Sequence, residues 1–185
     1  MSLRLIVGPM FAGKTSEIQT VIRRFSCLGK KVLVLTANTD NRYQNSVTAI
    51  VNHDMSIVPA RGVDVNRLQD VLEWNDFTDA TAVVLDEAQF FNGLHAFVTA
   101  CLAAGKHLVV VGLDGDAEGR PFSHVLDLIS LADSVEKKTA LCRQCGDGTP
   151  AIFSRSLVAR DSGSRVAVGG ADMYEPVCRR HFPSV

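Results

Sequence analysis

Residues 8–15, Gly-Pro-Met-Phe-Ala-Gly-Lys-Thr, match the pattern G-x-x-x-x-G-K-[ST] of a phosphate-binding loop. The glycines allow the backbone to fold into a nest whose N–H groups point at phosphate oxygens. Lys14 adds a positive charge for the β- and γ-phosphates, and the hydroxyl group of Thr15 is a typical Mg²⁺ ligand. The segment therefore predicts a triphosphate site built by Gly8, Pro9, Met10, Phe11, Ala12, Gly13, Lys14 and Thr15.

Two neighbouring carboxylates, Asp86 and Glu87, directly follow the apolar run Thr81–Leu85. Ligands bind at the carboxyl ends of the strands in open α/β sheets, so a pair in this position predicts a catalytic role. Asp86 is expected to hold Mg²⁺, and Glu87 to accept a proton. A proton taken from water would make an ATPase and one taken from a substrate hydroxyl group a kinase; the pair leaves both open.

A metal site is predicted by two ligand pairs, Cys142-x-x-Cys145 and Cys178-x-x-His181, which are separated by 32 residues. Four thiolate or imidazole ligands in two short pairs are typical of tetrahedral zinc, and a site with four protein ligands is structural. A redox-active Cys-x-x-Cys is the alternative, but the accompanying Cys-x-x-His pair argues against it. The remaining cysteines, Cys27 and Cys101, are expected in the core on apolar helix faces.

These residues require a scaffold, and the hydrophobic pattern predicts strands at 3–7, 31–36, 81–85 and 108–113. Helices are expected from Thr15 to Gly29 and at 64–74, 94–102 and 123–132, and residues 37–60 as a long connection or a weak hairpin. Apolar strands that alternate with helices indicate an α/β domain over residues 1–140, with a parallel sheet covered on both faces. Residues 141–185 are predicted to form a small zinc-binding subdomain.

The composition excludes several kinds of partner. The chain has 185 residues, a mass of 20.0 kDa and a formal net charge of -1, so attraction to nucleic acid or to an anionic membrane surface is not expected. No apolar run reaches the roughly 18 residues that span a bilayer, and the N-terminus does not resemble a signal peptide. We therefore expect a cytoplasmic protein whose cysteines stay reduced.

The order of these motifs, over nearly the whole chain, resembles the type II thymidine kinase family. The similarity extends to TDNRY at 39–43, HD at 53–54, DEAQFF at 86–91, GLDGD at 112–116 and GGADMYEPVCRRH at 169–181. It implies a P-loop NTPase-like (RecA-like) parallel sheet flanked by helices, a zinc lobe that carries a lasso loop, and transfer of the γ-phosphate of ATP to the 5′-hydroxyl group of thymidine. A homotetramer is implied in the same way.

The resemblance also implies roles for single residues. Glu87 corresponds to the proton acceptor, Asp86 lies near Mg²⁺, and the positions beside the phosphates are Asp40, Arg42 and Gln89. The thymidine-binding positions are Met10, Phe90, Leu113, Ala117, Phe122, Ser154, Arg165, Val166, Ala167, Val168, Gly169 and Tyr174. Ala117 departs from the family, in which an aromatic residue is common at this position.

Two other functions are compatible with parts of the sequence. A P-loop ATPase or switch whose zinc lobe binds protein or nucleic acid would require a basic stripe interleaved with aromatic residues. Arg143, Arg179 and Arg180 supply charge without that interleaving. A nucleotide-binding relative without activity would lack catalytic groups, yet Lys14 and Glu87 are both present.

Overall fold

The computed structural model describes residues 1–38, 47–51, 57–158 and 172–182, with the backbone alone for 47–51 and 57. Its main sheet has seven strands in the spatial order β3-β4-β2-β5-β6-β1-β7. Six strands are parallel, and β3 is antiparallel to β4. The strands are β1 (Ser2–Val7), β2 (Val32–Asn38), β3 (Val47–Val51), β4 (Ile57–Asp64), β5 (Ala82–Leu85), β6 (His107–Gly112) and β7 (Ser134–Lys137).

Helices cover both faces of this sheet, as the apolar strands predict. Helix α1 (Lys14–Ser26) packs Ile18 and Val21 against one face. The opposite face is covered by α3 (Leu94–Ala103) and by shorter helical segments. These segments are α2 (Asn75–Asp79), α4 (Ser123–Leu126) and 3-10 helices at Leu68–Glu73, Ala88–Phe90 and Asp127–Leu131. Within the described ranges, no helix is both long and apolar enough to span a membrane.

Two of the predicted helices are wrong in their type. Residues 64–74 were expected to form one amphipathic helix, but β4 continues to Asp64 and a 3-10 helix follows at Leu68–Glu73. Its buried residues Leu68 and Val71 are three positions apart, a spacing that a 3-10 helix also places on one side. The segment at 123–132 was expected to form one helix, but it forms the short helix α4 followed directly by a 3-10 helix.

The end of α1 corrects a further expectation. Cys27 was expected in the core, but it is exposed, and Leu28 is 72% exposed. The helix ends at Ser26, and the backbone N–H of Lys30 donates to the carbonyl oxygen of Phe25 at 3.0 Å. This turn directs Cys27 and Leu28 away from the sheet. Cys101 is fully buried in the main core, as predicted.

The C-terminal part of the chain forms a small lobe of two hairpin-like pairs. Strand β8 (Ala140–Leu141) is antiparallel to β9 (Pro150–Ala151), and β10 (Phe153–Ser156) is antiparallel to β11 (Tyr174–Val177). The lobe has its own apolar cluster, built around Ala140, Cys142, Ala151, Val177 and Cys178. Ala12 of the loop after β1 belongs to the same cluster, which joins the lobe to the main sheet.

Candidate active site

The register of the sheet brings the predicted motifs to one edge. Leu85 at the end of β5 pairs with Val110, and Val7 at the end of β1 pairs with Gly112. The residues that follow these strands therefore lie side by side. They are the phosphate-binding loop after β1, Asp86 after β5 and Leu113 after β6.

The loop after β1 needs glycine at its first position for space. A Cβ atom on Gly8 would lie 2.4 Å from the carbonyl oxygen of Lys138, and the φ angle of Gly8 is +152°. The backbone N–H of Lys138 donates to the carbonyl oxygen of Val7 at 2.8 Å, so the strand pairing of β7 fixes this close approach. Gly13 also has a positive φ, of +73°, at the point where α1 begins.

Lys14 lies within this loop and among carboxylates. Its Nζ atom donates to the carbonyl oxygens of Gly8 and Pro9, at 3.1 and 2.6 Å. Burial lowers the pKa of the Lys14 ammonium group, and the negative charges of Glu87, Asp86 and Asp114 oppose this effect. An ammonium group has three donors, and among the described residues these two carbonyl oxygens are its hydrogen-bond acceptors.

The carboxylate pair occupies two different environments. Asp86 is buried and accepts a hydrogen bond from the backbone N–H of Glu87 at 2.9 Å. Burial, followed by the negative charge of Glu87, raises the pKa of Asp86 to about 7. A divalent cation held here with the hydroxyl group of Thr15 would favour the ionised carboxylate, so the donor set suits Mg²⁺. Glu87 is exposed and has a left-handed backbone, with φ +55°.

Gln89 connects this pair with β6. Its side chain is buried, and its Oε1 atom accepts a hydrogen bond from the backbone N–H of Leu113 at 3.0 Å. Its Nε2 atom donates to Oε2 of Glu87 at 2.5 Å. The family resemblance implies a position for Gln89 beside the phosphates, and no residue pattern indicates that its amide bridges these two strand ends.

The loop after β6 is organised by the buried carboxylate of Asp116, the last residue of the motif GLDGD, for which no role is predicted from the sequence. Asp116 accepts hydrogen bonds from the backbone N–H groups of Glu118 and Arg120, at 3.0 and 2.9 Å, and forms an ion pair with the Arg120 side chain. The loop encloses Ala117, which is partly buried. Phe122 is buried in the main core, and Leu113 packs against that core.

The four predicted metal ligands converge in the lobe. The Sγ atoms of Cys145 and Cys178 are 3.8 Å apart, and Nδ1 of His181 lies 3.4–3.6 Å from the three cysteine sulfurs. Tetrahedral zinc with ordinary bond lengths requires edges of about 3.8 Å between sulfurs and about 3.6 Å between sulfur and nitrogen. The geometry of Cys142, Cys145, Cys178 and His181 is therefore compatible with structural zinc.

The lobe is attached directly to the phosphate-binding loop. The buried Oγ atom of Ser154 in β10 accepts a hydrogen bond from the backbone N–H of Met10 at 2.9 Å. Phe11 packs on the apolar cluster that contains Cys142 and Cys178. Tyr174 is buried in β11, opposite Ser156, whereas Phe90 is only partly buried.

Several predicted positions lie outside the described residues, so the structure does not bear on them. Two are beside the expected phosphates and five are in the expected lasso: Asp40, Arg42, Arg165, Val166, Ala167, Val168 and Gly169.

Comparison with known proteins agrees with the motifs. The family model described as thymidine kinase matches residues 1–182. A thymidine kinase of Oryza sativa subsp. japonica is 39% identical over 97% of this chain, which spans 65% of that relative's length. A thymidine kinase of Variola virus is 36% identical, and one of Vaccinia virus strain Western Reserve is 35% identical; each match covers 97% of this chain and 96% of the viral protein.

Proposed function

Because the chain belongs to the thymidine kinase family, we propose that it transfers the γ-phosphoryl group of ATP to the 5′-hydroxyl group of thymidine. The observation that carries this proposal is the meeting of three groups at one sheet edge. The negative charges of Asp86 and Glu87 raise the pKa of Lys14 in the phosphate-binding loop, against the effect of burial. Ser154 of the metal lobe accepts a hydrogen bond from the same loop.

The phosphate-binding loop would hold the donor. Backbone N–H groups of residues 8–15 and the start of α1 favour the negative charge of the phosphates. Lys14 would donate to a β- or γ-phosphate oxygen. By resemblance, Asp40 and Arg42 would also lie beside the phosphates; the resemblance implies the same place for Gln89, but its amide is engaged by Glu87 and Leu113.

The carboxylates would divide the chemistry between them. Thr15 and Asp86 would hold Mg²⁺, which neutralises charge on the β- and γ-phosphates. Glu87 is exposed at the sheet edge and stays available to accept the proton of the 5′-hydroxyl group. Phosphoryl transfer depends mainly on positioning and on charge neutralisation, and these residues supply both.

The nucleoside would bind between the sheet edge and the metal lobe. The described residues assigned to this pocket are Met10, Phe90, Leu113, Ala117, Phe122, Ser154 and Tyr174, and the assigned lasso positions are 165–169. Zinc would fix the two ends of the segment between Cys145 and Cys178, and so the base of the lasso. A lasso closed over the nucleoside would exclude water, which favours transfer over hydrolysis.

The proposal also covers the cellular location and the oligomeric state of the enzyme. Three cysteine ligands must stay as thiolates to hold zinc, which fits the reducing cytoplasm. A homotetramer is supported by apolar side chains in and directly before the edge strand β7; Ile129, Leu131 and Val135 are exposed there. The division of the chain into residues 1–140 and 141–185 stays a prediction.

Product analysis tests the reaction. The purified protein, supplied with ATP, Mg²⁺ and thymidine, should form thymidine monophosphate, detected by chromatography. Lys14→Met should abolish the product, whereas Lys31→Met should leave it unchanged because Lys31 pairs with Asp79 on the surface. Release of inorganic phosphate without the nucleotide product would contradict the proposal.

A further inference from the structure

The side chain of Gln89 is buried and hydrogen-bonded, although the residue lies in a short turn. It is 5% exposed and lies in the 3-10 helix Ala88–Phe90, directly after the carboxylate pair. Both ends of its amide are engaged, one by the backbone N–H of Leu113 and the other by the carboxylate of Glu87. The amide therefore holds Glu87 at a fixed position relative to β6.

The surroundings of Gln89 leave it little freedom. A Cβ atom on Gly112 would lie 3.0 Å from Oε1 of Gln89 and 3.2 Å from Cβ of Ala88. The glycine at the end of β6 thus makes room for the amide. The backbone carbonyl of Gln89 is within 3.1 Å of Nε2 of His124, which ties the turn to α4.

Glu87 needs such support because packing does not orient it. The residue is exposed, and its left-handed backbone, with φ +55°, is one that side-chain-bearing residues rarely adopt. The hydrogen bond from Gln89 uses Oε2 of Glu87, and within the described ranges the other carboxylate oxygen has no hydrogen-bond donor beside it and can take up a proton. A bond between an amide and a charged carboxylate is stronger than one between neutral groups.

We propose that Gln89 is a positioning residue: its amide, fixed on the backbone of Leu113, aims the carboxylate of Glu87 at the hydroxyl group to be phosphorylated. The inference rests on the role of Glu87 in the proposed function. It differs from the phosphate contact that the family resemblance implies for Gln89, because it predicts an effect on turnover rather than on ATP binding.

The first experiment is a double-mutant cycle with Gln89→Met, Glu87→Gln and the double variant. Methionine keeps the length of the side chain and removes both hydrogen bonds. We expect Gln89→Met to lower kcat by about 10- to 100-fold, with KM for ATP and thymidine within about twofold, since a misplacement near 1 Å costs about that much. In the Glu87→Gln background the same change should lower kcat by less than about threefold.

Controls separate positioning from folding. Gln69→Met removes an amide that donates to the backbone carbonyl of Gly93 and should leave kcat unchanged. Gly112→Ala disturbs Gln89 through the close Cβ contact without replacing it, and should also lower kcat with KM retained. Thermal denaturation and thymidine binding measured by calorimetry identify any variant that does not fold.

Three results would overturn the inference. One is a rise in KM for ATP at unchanged kcat, which would make Gln89 a phosphate ligand. Another is a loss of kcat in the Glu87→Gln background as large as in the original chain, because Gln89 would then act independently of Glu87. If Glu87→Gln alone keeps full turnover, the role of Glu87 in the proposed function fails first, and the inference fails with it.

Discussion

The Oγ atom of Ser154 lies 2.9 Å from the backbone nitrogen of Met10, so a strand of the metal lobe hydrogen-bonds directly to the phosphate-binding loop. Ser154 is 5% exposed and Met10 is partly buried, and loss of the Ser154 hydroxyl group would remove this partner from the N–H of Met10. This hydroxyl group adds a hydrogen bond to the packing of Phe11 and Ala12 that couples the two halves of the candidate site.

We expect Ser154→Ala to lower the free energy of unfolding by about 0.5–1.5 kcal/mol, the usual net contribution of one hydrogen bond. Because Met10 belongs to the loop, KM for ATP should rise as well. Urea denaturation and steady-state kinetics measure both effects. Ser156→Ala is the matched control, since its hydroxyl group donates to the carbonyl oxygen of Val158 at the surface. Equal behaviour of the two variants would refute the coupling.

Removal of the metal should act on the phosphate site through the packing of Phe11 and Ala12 on the lobe. Cys178→Ser removes a ligand from the cluster on which Phe11 and Ala12 pack, so we expect loss of bound zinc together with most of the activity. Cys27→Ser should retain both, because Cys27 is exposed and lies outside the cluster. Zinc content by mass spectrometry and product formation test this pair. A zinc-free variant with full activity would show that the lobe does not support the loop.

The glycine that opens the phosphate-binding loop offers a third test. Gly8→Ala adds a Cβ atom 2.4 Å from the carbonyl oxygen of Lys138, in addition to a strained φ angle. Gly29→Ala has the strained angle alone, since nothing lies within 4 Å of its Cβ position. We expect Gly29→Ala to cost about 1 kcal/mol of stability and Gly8→Ala clearly more, with a loss of ATP binding. Denaturation midpoints and nucleotide titration compare them; equal losses would mean that the loop can move away from β7.

The sequence predicts the phosphate-binding loop, the carboxylate pair and the metal ligands because each is a short pattern with a fixed spacing. The alternation of strands and helices follows equally well from apolar runs such as Leu108–Leu113. Strand β7, with the sequence Ser-Val-Glu-Lys, was missed because an edge strand needs no continuous apolar face.

Other features depend on contacts that a linear pattern does not contain. A three-residue spacing fits an α-helix and a 3-10 helix alike, which explains the error at 64–74. Gln89 can hydrogen-bond to Leu113 as well as to its neighbour Glu87 because parallel pairing aligns the ends of β5 and β6. The role of Asp116 depends on the backbone N–H groups that it binds, and the role of Lys138 on its close approach to Gly8. Both are known only from the folded structure.

A network of four charges beside the phosphate-binding loop predicts a measurable loss of stability in acid. Lys138 lies 2.7 Å from carboxylate oxygens of both Glu17 and Glu136, and Arg4 pairs with the same two residues. Hydrogen bonds from Lys138, and then from Arg4, hold the pKa of Glu136 below its ordinary value, and the same donors lower the pKa of Glu17 against the effect of burial.

The direction of the pH effect follows from the lowered pKa values. The unfolded chain takes up protons at Glu17 and Glu136 near pH 4.5, whereas the folded chain does so only at lower pH. The network therefore contributes its full stability above this value and loses it as the pH falls through the folded-state pKa values. In Lys138→Met the free energy of unfolding should fall less steeply between about pH 5 and pH 3. Urea denaturation at each pH measures the slope. Lys30→Met is the control: it removes an exposed lysine, so its slope shows the part that comes from other effects of acid, such as the release of zinc. Identical slopes in the original chain, Lys138→Met and Lys30→Met would mean that the network does not stabilise the folded chain.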